Sequence, residues 1–113
     1  MPFITIDTNA RMEVTAEMLD ELSEIAVRVL NKPKNYVTVK INSGAAILFG
    51  DMTENIGALV EFKSIGFGDK KAELARQLKD FAVRRFGAEG LFVGIHFADM
   101  PAANVSHDGK LMG

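Results

Sequence analysis

The chain has 113 residues, 13 Lys or Arg against 15 Asp or Glu for a formal charge of −2, and no Cys. That length fits one domain over residues 1–113 with a modest core, and the lack of Cys excludes disulfides, thiolate metal sites and CxxC redox chemistry. The scattered basic residues make no nucleic-acid or anionic-membrane footprint, no apolar run reaches the roughly 20 residues of a membrane span, and the N-terminus lacks a signal-peptide pattern.

A cytoplasmic protein is expected, with no cofactor; two His, His96 and His107, are too few for a His-based metal site without carboxylate help. Met1-Pro2-Phe3-Ile4-Thr5-Ile6-Asp7 reads as a β-strand, with Pro where a missing N–H costs no ladder bond. Pro2 follows the initiator Met directly, and a small second residue permits removal of that Met. Removal would leave a secondary amine at the end of a rigid strand. Such an amine titrates nearer neutrality than a Lys, and an apolar pocket lowers it further. It is therefore a candidate general base near pH 7.

Thr15 is placed to cap a first helix, with Glu17 in its first turn. Met18, Leu22, Ile25 and Val29 recur at helical spacing, and Pro33 disfavours α geometry at Lys32, so the helix stops near Asn31. From Tyr36 to Ile41 apolar and polar residues alternate as in a strand with one buried face. Ser43-Gly44 turns the chain, Ala46 to Phe49 predicts a minor strand, and Thr53 to Asn55 is polar. Gly57 to Ile65 reads as a long strand closed by Gly66 and Gly68. Asp69 then caps a second helix with Ala72, Leu74, Ala75, Leu78, Phe81 and Ala82 as its buried stripe and Gly87 as its stop. Leu91 to Phe97 is the last main strand, and the tail from Asp99 carries few regular signals.

The helices start near 15 and 69 and the strands after them near 37 and 91, an offset of 54 residues in both cases (69 − 15 and 91 − 37). The fold class is thus α+β: two β-α-β units forming a four-stranded mixed sheet with two helices on one face. The other face would lie bare, with Val37, Val39 and Ile41 or their neighbours exposed, which points to oligomerisation.

Four further pieces occur in register with this doubled pattern: Met-Pro-Phe with Asp7-Thr8-Asn9, Lys32-Pro33-x-x-Tyr36, Ser64-Ile65-Gly66, and Asp99-Met100-x-Ala102-Ala103-Asn104-Val105. Together they resemble the macrophage migration inhibitory factor family of the tautomerase superfamily over residues 2–105. The resemblance implies a homotrimer whose sheets wrap into an inner barrel, with active sites at subunit interfaces. It implies keto–enol tautomerisation of phenylpyruvate-like 2-oxo acids or dopachrome-like compounds, Pro2 acting as base. By the same resemblance Lys32, Ser64 and Ile65 match substrate-binding positions, with Tyr36 and Val105 beside them.

The chemistry suits these residue types. A 2-oxo acid is an anion, and Lys32 can hold its carboxylate as a compact charge. That charge also pushes the Pro2 amine towards its neutral form. Ile65 supplies an apolar wall. Where the family pattern has a pocket Tyr and Asn on the last main strand, this chain has Gly94 and His96; the first change widens the pocket, and the second supplies a titratable donor. His107 replaces a common Trp, and Lys110-Leu111-Met112-Gly113 lacks the usual terminal Phe, which weakens the expectation of an aromatic substrate. The competing expectation is a cytokine-like trimer that binds a protein receptor, its pocket vestigial, exported without a signal peptide. Decarboxylase or hydrolytic dehalogenase chemistry ranks last, because the pocket-forming segments offer no Arg to activate water.

Overall fold

Alternation in the first strand sends Ile4, Ile6 and Thr8 inward and Phe3, Thr5 and Asp7 outward, and the whole sheet repeats that division. The computed structural model describes residues 1–51 and 54–113. Its main elements are β1 (Phe3–Thr8), α1 (Ala16–Leu30), β2 (Thr38–Asn42), β3 (Ala58–Ser64), α2 (Lys71–Phe86) and β4 (Val93–Asp99), followed by a hairpin of β5 (Ser106–His107) and β6 (Lys110–Leu111). The sheet order is β2-β1-β3-β4. β1 runs parallel to β2 and β3 parallel to β4, while the two central strands meet antiparallel. The mixed sheet of two β-α-β units is therefore as expected, and corresponding elements begin 55 residues apart (58 − 3, 71 − 16 and 93 − 38).

Both helices cover one face. Ile4, Ile6, Val60 and Phe62 from the sheet share one core with Leu22 and Ile25 of α1 and Leu74, Leu78 and Phe81 of α2. Local chemistry sets the helix ends. The Thr15 hydroxyl accepts the Met18 N–H at 3.2 Å, and Asn31 closes α1 in the left-handed region at φ 53°. Gly87 does the same for α2 at φ 72°. The helices are also tied by charge: Arg84 and Arg85 of α2 both donate to Glu21 of α1, each at 2.6 Å.

Several sequence expectations are corrected. Asp69 does not cap α2; Lys70 holds the N-cap position without a side-chain hydrogen bond, because the chain enters the helix there in αR geometry. Ala72 is exposed and Phe86 takes the place in the buried stripe. Tyr36 and Leu91 lie in short 3-10 turns that precede β2 and β4, so each strand begins two residues later than its apolar run. Ala46 to Phe49 forms no strand, only a bridge at Phe49, whose ring fills the space above Gly57 instead. A Cβ at Gly57 would come within 2.6 Å of both the Phe49 ring and the Phe92 carbonyl, so only glycine fits. Thr53, read as part of a polar link, lies outside the described residues.

The uncovered sheet face is mainly polar, with Phe3 and the exposed Leu59 as apolar members. Val37, Val39 and Ile41 pack on the core, while their neighbours Thr38, Lys40 and Asn42 face outward with Glu61, Lys63 and His96. Among the described residues no helix is long and apolar enough to cross a membrane.

Burial pushes the Glu21 carboxyl up, but hydrogen bonds from Arg84 and Arg85 outweigh it and hold the group below its ordinary value. A carboxyl depressed in the fold stabilises above its unfolded pKa, and the benefit disappears as pH falls through the folded one. Glu21→Gln is expected to cost about 1 kcal/mol or less at pH 7, the scale of partly exposed ion pairs. Thermal unfolding against pH checks this: the wild type loses the difference on acidification, and a constant difference down to pH 2 refutes the assignment.

Candidate active site

β1 is an inner strand, so the chain begins in the middle of the sheet rather than at an edge. Its pairing with β3 runs from Thr8↔Ala58 to Phe3↔Lys63. Just past that last pair, Met1 and Ile65 line a cleft of about 280 Å³ together with Lys32, Pro33, Tyr36, Ala102 and Met112. Four segments therefore converge: the N-terminus, the loop after α1, the turn after β3, and the C-terminal tail.

Each residue is delivered by a local constraint. The left-handed Asn31 ends α1 and starts the loop that carries Lys32. A 3-10 turn over Lys34–Tyr36 brings Tyr36 back to the sheet, where the Thr38 N–H donates to the Pro2 carbonyl at 3.0 Å. The Tyr36 ring meets His107 edge-on at 4.9 Å, which joins this wall to the tail hairpin. Gly66, at φ 81°, turns the chain immediately after Ile65. On the tail, the buried Val105 donates its N–H to the Ala102 carbonyl and accepts the Met112 N–H at 2.8 Å, fastening two lining residues together.

The cleft thus gathers Lys32, Tyr36 and Ile65 of the sequence-derived set. Pro2 and Ser64 lie behind its lining, both fully buried. Val105 is buried beneath the tail wall. His96 is elsewhere: it stands on the open sheet face, its Nδ1 2.9 Å from Glu61 Oε2. Gly94 is on that same face, bordered by Leu59. Sequence reasoning missed Pro33, Ala102 and Met112 as lining residues. Ala102 belonged to a quoted motif, whereas the tail gave no signal that would fold Met112 back.

The electrostatics are those of a cation-flanked, partly dry cleft. Burial, and then the positive charge of Lys32, push the N-terminal amine below its ordinary value. Lys32 has no ion-pair partner among the described residues. A larger groove of about 490 Å³ crosses the helix layer, but its Glu21, Glu73 and Asp80 are already paired with Arg84 or Arg76. The groove keeps one cation without an ion pair among the described residues, Arg28, whereas the smaller cleft sets the N-terminal amine beside an unpaired Lys. Among the described residues no three His, Asp or Glu are grouped to hold a metal.

A model of the family described as macrophage migration inhibitory factor matches residues 1–113. A macrophage migration inhibitory factor homolog of Trichuris trichiura is 31% identical over 113 residues, which cover 97% of this chain and 98% of that protein. D-dopachrome decarboxylase-B of Xenopus laevis is 21% identical over 115 residues, covering 99% of this chain and 98% of its own. Among solved structures, the factor from Oncomelania hupensis superposes with a TM-score of 0.91 at 27% identity, covering 100% of this chain and 83% of that one. The homologue from Prochlorococcus marinus gives 0.88 at 28%, covering 98% and 99%.

Because Lys32 contributes to the depressed amine, Lys32→Ala is expected to raise the titration midpoint of the N-terminal amine. The amine is disfavoured as a cation, so the fold loses stability as pH falls from the unfolded towards the folded pKa, and the variant loses less. An NMR titration of the first residue checks the sign; an unmoved midpoint would separate Lys32 from the amine.

Proposed function

The chain belongs to the macrophage migration inhibitory factor family, and on that premise we propose that it is a keto–enol tautomerase of 2-oxo acids resembling phenylpyruvate or of dopachrome-like compounds. The observation that carries this reading is the N-terminal amine, pushed towards neutrality in a cleft that also presents an unpaired Lys32. Removal of Met1 moves the amine one residue inward, to the Pro2 nitrogen, and vacates the Met1 share of the cleft.

In the proposed cycle Lys32 holds the substrate carboxylate and Ile65 keeps water away from the amine. The neutral Pro2 nitrogen takes the proton from the carbon beside the ketone, leaving an enolate. The same nitrogen, now a cation, returns that proton to the enolate oxygen to give the enol; the reverse order converts enol to ketone. Tyr36 forms one wall and Val105 fixes the wall opposite. His96 lies outside this cleft, so its proposed part is to reach the site of a neighbouring protomer. A homotrimer with active sites at protomer boundaries accommodates that, and the open sheet face with β2 and β4 as its outer strands supports such an assembly.

The decarboxylase name among the relatives belongs to that relative. Here the cleft lining includes no Arg and no carboxylate among the described residues, so nothing is placed to activate water. Proton transfer fits the groups present.

For Pro2→Gly, phenylpyruvate tautomerisation is expected to fall by roughly 10²-fold or more, the scale of a positioned base. For Lys32→Ala, the Michaelis constant should rise with a smaller change in turnover, as for a group that binds substrate and transition state alike. Equal rates for wild type and Pro2→Gly would overturn the proposal and favour a trimer that signals through a protein receptor.

A further inference from the structure

Among the described residues, Ser64 Oγ is the one buried side-chain nitrogen or oxygen with no hydrogen-bond partner. Buried hydroxyls are paired as a rule, and an unpaired one opposes folding. Its neighbours indicate what it is kept for. The β1–β3 register places Phe3 opposite Lys63; one step further sets Pro2 opposite Ser64, and two steps set Met1 opposite Ile65. Met1 and Ile65 both line the cleft, as that extension of the register requires. Residues directly opposed across antiparallel strands share a face, with Cβ atoms about 5 Å apart. Pro2 and Ser64 are both fully buried.

While Met1 is attached, the Pro2 nitrogen is an amide without N–H. Hydrolysis of the Met1–Pro2 bond gives it one N–H when neutral and two when protonated. A new donor then arises beside the hydroxyl that has none. The main-chain oxygen of Ser64 already accepts the Met100 N–H at 2.8 Å, whereas its side-chain oxygen has no partner at all.

We infer that Ser64 is a positioning residue for the Pro2 amine: its Oγ accepts a hydrogen bond from the protonated nitrogen and leaves the second N–H aimed at the cleft. The catalytic meaning of this contact rests on the tautomerase reading; the contact itself does not. Burial and Lys32 favour the neutral form of the Met1 amine, and a Pro2 amine one residue further in would meet the same two influences as it takes up a proton. Ser64 favours the cation, which must hold that proton long enough to return it. The lone hydroxyl is thus a cost carried by the unprocessed chain and relieved by loss of Met1.

The test is an NMR titration of the Pro2 ring carbons in processed chains, with loss of Met1 verified by intact mass, for wild type, Ser64→Ala and Ser64→Cys. Ser64→Ala is expected to lower the amine midpoint by about one pH unit; Ser64→Cys, which preserves volume but is a poorer acceptor, should lower it less. Thermal unfolding gives a second readout. Ser64→Ala should raise Tm in a synthetic chain that retains Met1 and lower it in the processed chain. An unchanged midpoint, or the same Tm change in both forms, would overturn the inference. A shifted midpoint in a wild type that does not turn over phenylpyruvate would uphold the Ser64 contact and remove the tautomerase reading instead.

Discussion

The antiparallel pairing of β1 with β3 is the constraint on which the rest depends. It joins the two β-α-β units through their first strands, so the first residues of the chain sit mid-sheet and finish beside Ser64 and Ile65. Had β1 been an edge strand, the N-terminus would face water and its amine would titrate as an ordinary terminus. In the central position, two strands, a loop and the tail surround it. Burial of that amine follows from topology; its chemistry follows from what the loops bring.

Those loops add one cation and little else that is charged. Lys32 arrives through the left-handed end of α1 and has no carboxylate to neutralise it among the described residues. Several cations on and beside the helices are tied up. Lys34 pairs with Asp20 and Glu24, and Arg84 and Arg85 grip Glu21. Among the described residues Arg28 and Lys79 on the helices have no ion pair either, so what sets Lys32 apart is its place beside the N-terminal amine.

Much of this was legible in the sequence because it is local. Thr15 announces the start of α1, Asn31 and Gly87 the ends of the helices, and the alternation of Val37, Val39 and Ile41 a strand with one apolar side, each through backbone or periodic chemistry. The doubled pattern follows from the same signals. What was not legible depends on distant partners. Ala46 to Phe49 has a strand's composition, but the space over Gly57 claims Phe49 for packing. The open face looks apolar from composition alone, because the helices remove the valines of β2 and leave Thr38 and Lys40 outside. For the site, Lys32, Tyr36 and Ile65 were readable from their motifs and do meet. Met112 joins them only because the tail hydrogen-bonds back on Val105, a tertiary event without a sequence mark. His96 stands apart with Glu61, which a strand pattern could not foretell.

The central claim is that the chain presents an unusually free amine at its start, in a cleft where exclusion of water and the charge of Lys32 both disfavour protonation. Acetylation with limiting reagent at pH 7, mapped by mass spectrometry, measures this directly. The account predicts that the first acetyl group lands on a Pro2 nitrogen freed of Met1, ahead of every Lys side chain. Acetylation of lysines first, or a retained Met1 with the Pro2 nitrogen locked in its peptide bond, would contradict it.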